Sequence, residues 1–333
     1  MKKNVILVDF KAEDNWEFQR VLEDTTHEQW DVHEVVSNRN TGGKIQNLIR
    51  YMKYFLAPLS IAINKDKYGK VLGWQQFYGL ILAFYFRLFR VKNTPEIYVM
   101  TFIYKPKKSF VGKVYNRFIR YIVTSGYISR FIVFSESEKR YYSELFNIAD
   151  DLFVSISLGC EDVLQKVAPD ETEKIYVSAG RSNRDYKFLI NSWKDSTELL
   201  EVICDSIEVR EYSNIKILTN CYGDDYLKEI ARSYAVIIPL DDSNISSGQL
   251  VAIHAMIYGK PVIVTKNDTI CDYIKDGYNG LIIDKTPEAL REAVKKLDDK
   301  EYYNRISING RKSYEEYFSM YAMGKRIGEL LGK

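Results

Sequence analysis

A chain of 333 residues is longer than one hydrophobic core usually supports, so length alone predicts two domains. Its 46% apolar and 28% charged residues are ordinary globular values. The net charge of +2 hides an asymmetry, because residues 1–150 hold 23 Lys+Arg against 15 Asp+Glu and the remainder 24 against 30. Cys160, Cys204, Cys221 and Cys271 are scattered, without metal-ligand spacing, which argues for a reducing compartment and against structural zinc.

The opening "NVILVDF" (4–10) reads as a buried strand, its apolar run too short for a signal peptide. A helix and the strand "WDVHEVVS" (30–37) follow, with His27 and His33 read as structural. Residues 44–93 read as long helical stretches. The apolar run 72–89 is interrupted by Gln75, Gln76 and Arg87 and makes a poor membrane span. "PEIYVMTFI" (95–103), "RFIVFS" (130–135) and "LFVSISLG" (152–159) are further strands, and 160–174 is a polar linker. The alternation then restarts with strands at 175–180, 214–220, 235–240, 261–265 and 280–284, separated by helices. A last amphipathic helix, 313–331, is expected to pack back across the domain junction. Apolar strands alternating with helices predict parallel sheets covered on both faces, hence two doubly wound α/β domains facing one another. Ligands of such sheets bind at the carboxyl ends of the strands, and the cleft between the domains is the expected site.

Three constellations carry chemistry. In "AGRSNRDYKFLI" (179–190) a strand ends at Gly180, and Arg181 and Arg184 project from the turn before the next helix. Guanidinium groups beside a helix N-terminus suit a diphosphate; the bland alternative is two solvated arginines. In "SSGQLVAIHAMIYGKPVIVT" (246–265) Ser246, Ser247, Gly248 and Gln249 open a helix whose free N–H groups favour an anion, with His254 two turns along. There the alternatives are a plain cap and a core histidine. Between residues 44 and 130 lie sixteen basic side chains, two acids and many aromatics. That mixture fits an anionic bilayer surface better than nucleic acid, for which no recognition motif appears, or else it is core aromatics under solvated charge.

"AGRSNRDY", "HAMIYGKPVIV" and "DGYNGLII" (276–283), in this order and spacing, resemble the C-terminal domain of retaining, family-4-like (group 1) sugar-nucleotide glycosyltransferases. "RFIVFSESEK" resembles a segment of their first domain. The resemblance implies a GT-B fold: two facing Rossmann-like domains with a cleft between them. It implies an acceptor-binding, membrane-facing domain at 1–160, joined by the returning helix 313–333, and a nucleotide-sugar domain at 170–312. By resemblance Arg181 and Arg184 are catalytic, holding the donor diphosphate, and the configuration of the transferred sugar is retained. The family's Glu-x7-Glu pair falls here on Ser246 and His254, a hydroxyl and an imidazole in place of two carboxylates. Imidazole retains a hydrogen bond to a ribose hydroxyl, and Ser246 one to a sugar hydroxyl or phosphate. Gly180, Ser246, Ser247, Gly248, Gln249 and His254 are thus the donor-site candidates. Asn15, Trp16 and Lys105 are the acceptor-side candidates, Lys105 for a pyrophosphate-linked lipid.

No Asp-x-Asp motif occurs, so no metal and no cofactor is expected; the nucleotide sugar is itself the substrate. The leading expectation is transfer from a UDP-sugar to a lipid-linked saccharide in polysaccharide biosynthesis, at the cytoplasmic face of a membrane. A non-catalytic GT-B subunit that binds glycan or protein, and a nucleotide-sugar epimerase, stand as alternatives.

Overall fold

A computed structural model describes residues 2–36, 44–169, 174–207, 212–241 and 246–332, with the backbone alone for 44–47. Residue 37 of the strand read at 30–37, residues 170–173 of the linker and residues 242–245 lie outside the described residues. The chain divides into two compact units, Met1–Ile156 with Gly324–Lys333, and Ser157–Met323.

The first unit holds β1 (Lys3–Val8), α1 (Glu17–Thr26), β2 (Trp30–Glu34), α2 (Lys44–Ile63), β3 (Tyr68–Gly73), α3 (Gln76–Leu88), β4 (Glu96–Val99), α4 (Phe110–Val123), β5 (Arg130–Val133), α5 (Glu136–Phe146) and β6 (Phe153–Ser155). Its sheet is wholly parallel, in the order β2-β1-β3-β4-β5-β6. β3 falls inside the stretch read as helical. Only Val71 and Leu72 of its sequence YGKVLG are apolar and buried, and two glycines weaken its strand signal. Pairing with β1 and β4 on both sides overrides that weak preference. The last residues of the chain complete this unit. A Cβ on Gly328 would stand 2.5 Å from Thr25 Cβ, so the final helix lies directly against α1. Lys70 Nζ donates to the Leu331 carbonyl at 2.7 Å.

The second unit holds β7 (Ile175–Ala179), α6 (Tyr186–Trp193), β8 (Leu199–Ile203), β9 (Ile215–Leu218), α7 (Asp224–Arg232), β10 (Ala235–Ile238), α8 (Gln249–Ile257), β11 (Val262–Thr265), β12 (Leu281–Ile283), α9 (Pro287–Lys296) and α10 (Lys300–Ser313). Its parallel sheet runs β12-β11-β10-β7-β8-β9. One face packs under α7 and α8, the other under α6 and α9, which is why the strands are continuous apolar runs. β8 was not expected from the sequence. Glu201 interrupts its apolar run, yet it is buried and paired with Arg232 at 2.5 Å, so the charge is met inside the fold.

The chain winds from β7 outward through β8 to β9, then returns beside β7 with β10 and winds the other way. The order therefore reverses between β7 and β10. At such a switch point the two following loops part and leave a crevice at the carboxyl ends of the strands. The helix expected over 313–331 is broken. Tyr314–Phe318 forms a π-helical turn, and α11 (Met320–Leu331) begins after an extended Ser319. Phe318 stacks on Tyr273 at 5.0 Å, and Cys160 exchanges backbone hydrogen bonds with Phe318 and Met320, both at 3.0 Å. Those bonds replace the helical ladder at this point.

Candidate donor site in the second unit

β7 ends in a turn that Gly180 makes with φ +111°, a conformation other residues rarely adopt. The turn brings Arg184 back over the strand end. Its Nε donates to the Ala179 carbonyl at 3.2 Å, and its Nη1 to the Ser182 carbonyl and the Ser247 hydroxyl, each at 2.9 Å. Nη2 makes no hydrogen bond to any described residue and faces two glycines. A Cβ on Gly180 would stand 2.9 Å from it, and one on Gly248 3.7 Å. Burial pulls the Arg184 guanidinium down from its usual value, but an arginine remains charged at neutral pH. A half-buried cation with an open donor is a ready partner for an oxyanion.

The loop after β10 is stitched to this turn. Asp185 N donates to the Pro239 carbonyl at 2.7 Å and Asp241 N to the Asn183 carbonyl at 3.3 Å. Of the nearby carboxylates, Asp185 and Asp241 are engaged by Lys285, at 3.1 Å and 3.3 Å, and neither pairs with Arg184. Arg181 is exposed and borders two cavities, of about 340 and 560 Å³.

Gly248, with φ +92°, opens α8. Ser246 accepts a hydrogen bond from the Gln249 side chain, and Ser247 donates to the Ser182 carbonyl at 2.9 Å. Ala252, Ile253, Ala255, Met256 and Ile257 of α8 are all buried. The first turn is therefore fixed by core packing, and it starts beside Arg184 at Gly248, where a helix N-terminus favours an anion. The structure brings Gly180, Arg184, Ser247 and Gly248 into one cluster, with Ser246 and Gln249 beside it.

His254 lies deeper. Its Nδ1 is 3.1 Å from the Tyr226 hydroxyl, and burial pushes its pKa down to about 4. It is not on the wall of the smaller cavity, whereas Tyr226 is, with Gly180, Arg181, Cys204, Tyr222 and Leu250. The acceptor-side candidates belong to the first unit. Asn15 is exposed in a left-handed turn with φ +63°, and Lys105 is exposed after β4. Trp16, expected to touch a sugar, is only 3% exposed. It packs against Phe10, Phe18 and Trp74 at 4.9–5.4 Å, since an indole leaves water wherever aromatic neighbours are at hand.

Sequence reasoning missed Asp205, Tyr222 and Tyr226. Asp205 accepts from the Asn220 amide at 2.8 Å and from the Tyr222 hydroxyl, which holds the Tyr222 ring at the mouth of the smaller cavity. Asp205 follows β8, whose apolar run Glu201 interrupts, so its place at the carboxyl end of a strand is not legible in the sequence. Tyr222 follows β9, and the rule that ligands bind at the carboxyl ends of strands finds it.

Residues 161–313 match the family model described as glycosyl transferases group 1. No curated protein matches the chain in sequence. Solved structures with the same two-unit architecture include a sucrose-phosphate synthase from Thermosynechococcus elongatus, at 14% identity and a TM-score of 0.67, covering 99% of this chain and 98% of that one. HepE of Anabaena, solved with UDP, aligns at 12% identity and a TM-score of 0.68 over 99% of both chains. WaaG, a glycosyltransferase involved in lipopolysaccharide biosynthesis, aligns at 12% identity and a TM-score of 0.61, over 98% of this chain and 99% of its own.

Proposed function

We propose that this chain, whose second unit is a group 1 glycosyl transferase domain within a GT-B fold, moves a sugar from a UDP-sugar to a saccharide acceptor that is lipid-linked. The observation that carries this reading is the Arg184 guanidinium, half-buried, without a carboxylate partner among the described residues, and open at Nη2 beside the start of α8. It fits the donor diphosphate. Arg181 and Arg184 bind it and meet the negative charge that grows on it as the glycosidic bond breaks, in a setting where fixed donors outperform water. The adjoining cavity of about 340 Å³, with the Tyr222 ring at its mouth, suits the base. Uracil is favoured because HepE was solved with both UDP and UDP-glucose.

In this reading the acceptor attacks on the face that the diphosphate leaves, so configuration is retained. The leaving phosphate takes the acceptor proton, and no metal or separate base is needed. The acceptor side is the first unit. No helix among the described residues is long and apolar enough to cross a membrane. Instead α4 exposes Phe110 and Val111, at 83% and 76%, beside Lys113 and Arg117, and α2 exposes Leu48, Met52, Phe55 and Leu56. Apolar side chains ringed by cations suit the surface of an anionic bilayer, here the cytoplasmic face, on which a lipid-linked acceptor would be met.

The test is calorimetric titration with UDP, GDP and ADP, followed by NMR of the anomeric proton during transfer from the UDP-sugar to a lipid-linked saccharide. Binding of UDP alone and a product of unchanged anomeric configuration are expected. If no diphosphate binds at millimolar concentration, the arginines are not a donor site and the accessory-subunit reading replaces this one. Interconversion of the nucleotide sugar without acceptor would make the protein an epimerase.

A further inference from the structure

Tyr226 uses little of its hydrogen-bonding capacity. Its hydroxyl meets His254 Nδ1 at 3.1 Å and makes no other hydrogen bond to a described residue. A phenol has one donor and two acceptor positions, so this contact leaves at least one of each kind or two of one kind unfilled. Buried hydroxyls are rarely left so. The ring is also on the wall of the smaller cavity, beside Gly180 and Arg181, while His254 stands behind it.

The two groups are neutral together. Burial holds the imidazole below its ordinary range and the phenol above its own, so neither carries charge between pH 5 and 9. A neutral imidazole has one N–H and one bare nitrogen. If Nδ1 is bare, the phenol donates to it and offers its oxygen to a ligand hydroxyl. If Nδ1 carries the proton, the phenol accepts it and its O–H points elsewhere. In either tautomer His254 fixes the phenol and leaves it a further hydrogen bond to make, as acceptor in the first case and as donor in the second. A neutral hydroxyl beside Arg181 and Arg184 does not compete with an anion for their charge. It fits an uncharged, hydroxylated ring attached to that anion.

Resting on the donor reading above, we infer that Tyr226 binds a ribose hydroxyl of the nucleotide, and that His254 is a positioning residue acting through it. Ribose is favoured over the transferred sugar because Tyr226 borders the same cavity as the Tyr222 ring. The imidazole at position 254 thus does not itself reach the ligand.

Calorimetry on the whole chain tests this with UDP, UDP-glucose and 2′,3′-dideoxy-UDP, using Tyr226→Phe, His254→Leu, His254→Asn and the Tyr226→Phe/His254→Leu double variant. Thermal unfolding of each variant checks its fold. Tyr226→Phe is expected to weaken UDP about tenfold, the usual size for one lost hydrogen bond, and the dideoxy nucleotide less than twofold. His254→Leu is expected to match it, to add nothing in the double variant, and to be largely rescued by His254→Asn, whose amide replaces Nδ1. Equal weakening of UDP and its dideoxy analogue, or no weakening, overturns the inference. So does a full, additive loss from His254→Leu, which would put the imidazole on the ligand itself. A loss confined to the extra affinity of UDP-glucose would assign Tyr226 to the transferred sugar. Arg184→Ala separates the two readings, since it should weaken all three nucleotides alike whatever Tyr226 does. If the wild type binds none of them, the donor reading and this inference fall together.

Discussion

Gly180 leaves open the space into which Arg184 Nη2 projects; a Cβ there would stand 2.9 Å from that nitrogen. Gly180→Ala therefore does two things at once. It strains a backbone held at φ +111°, at a cost of about 1–3 kcal/mol, and it displaces the guanidinium. Lower urea stability and weaker UDP binding are expected together. A variant that binds UDP as the wild type does would show that Nη2 is not the contact.

Arg184→Ala removes the cation and leaves both glycines in place. One charge-assisted hydrogen bond contributes roughly 1.5–3 kcal/mol, so UDP affinity should fall about ten- to a hundredfold. Arg184→Lys should recover little, because a point charge on a flexible stem lacks the fork that reaches Ala179, Ser182 and Ser247 together. Titration calorimetry reads both effects.

His254 gives the second unit an acid-sensitive stability. Burial lowers its pKa to about 4, from 6.5 in an unfolded chain. Between those values the unfolded chain binds the additional proton. Stability is then fully present above about pH 6.5 and is lost as pH falls toward 4, by at most about 1.4 kcal/mol per pH unit. Denaturant titrations at pH 5 and 7 should show this difference, reduced in His254→Asn. Equal pH dependence in the variant would place the sensitivity elsewhere.

Trp16 is a core residue of the first unit. Trp16→Ala should cost about 3–5 kcal/mol of stability through the cavity it leaves among Phe10, Phe18 and Trp74. Trp16→Phe should keep most of that stability and leave the KM for acceptor unchanged. A raised KM in a folded Trp16→Phe protein would restore the sugar-contact role expected from sequence.

The α4 surface predicts salt-sensitive membrane binding. Sedimentation with phosphatidylglycerol vesicles should pull the protein down at low salt and release it as salt rises. Each basic side chain near such a surface contributes about 1 kcal/mol, so Lys113→Gln with Arg117→Gln should weaken partitioning about thirtyfold. Binding that ignores both the substitutions and the salt would rule out this surface.

The candidate site cluster was legible because its parts are local in sequence. Gly180, Arg181 and Arg184 lie within five residues, and Ser-Ser-Gly directly precedes a helix. Their meeting required only that β7 and β10 be neighbours, as they are at the switch point of this doubly wound sheet. Tyr226 was not legible, since its partner His254 is 28 positions away and nothing in either helix alone announces the contact. β3 and β8 were hidden by glycines and by a buried glutamate whose counter-ion, Arg232, lies 31 residues downstream. The break at Ser319 was hidden because Tyr314 and Phe318 keep helical spacing, while the backbone bonds that interrupt the helix come from Cys160.

Residues 324–333 close the first unit against α1, although the rest of that unit ends at Ile156. The ribosome makes a chain in one direction, at about 5–20 residues per second. Some ten to thirty seconds therefore pass between synthesis of β6 and arrival of the helix that covers Thr25. The second unit is synthesised whole in that interval, so the first unit, begun before the second, is completed after it. A nascent first unit waits with part of α1 bare, and chaperones that bind apolar surface have that interval in which to act.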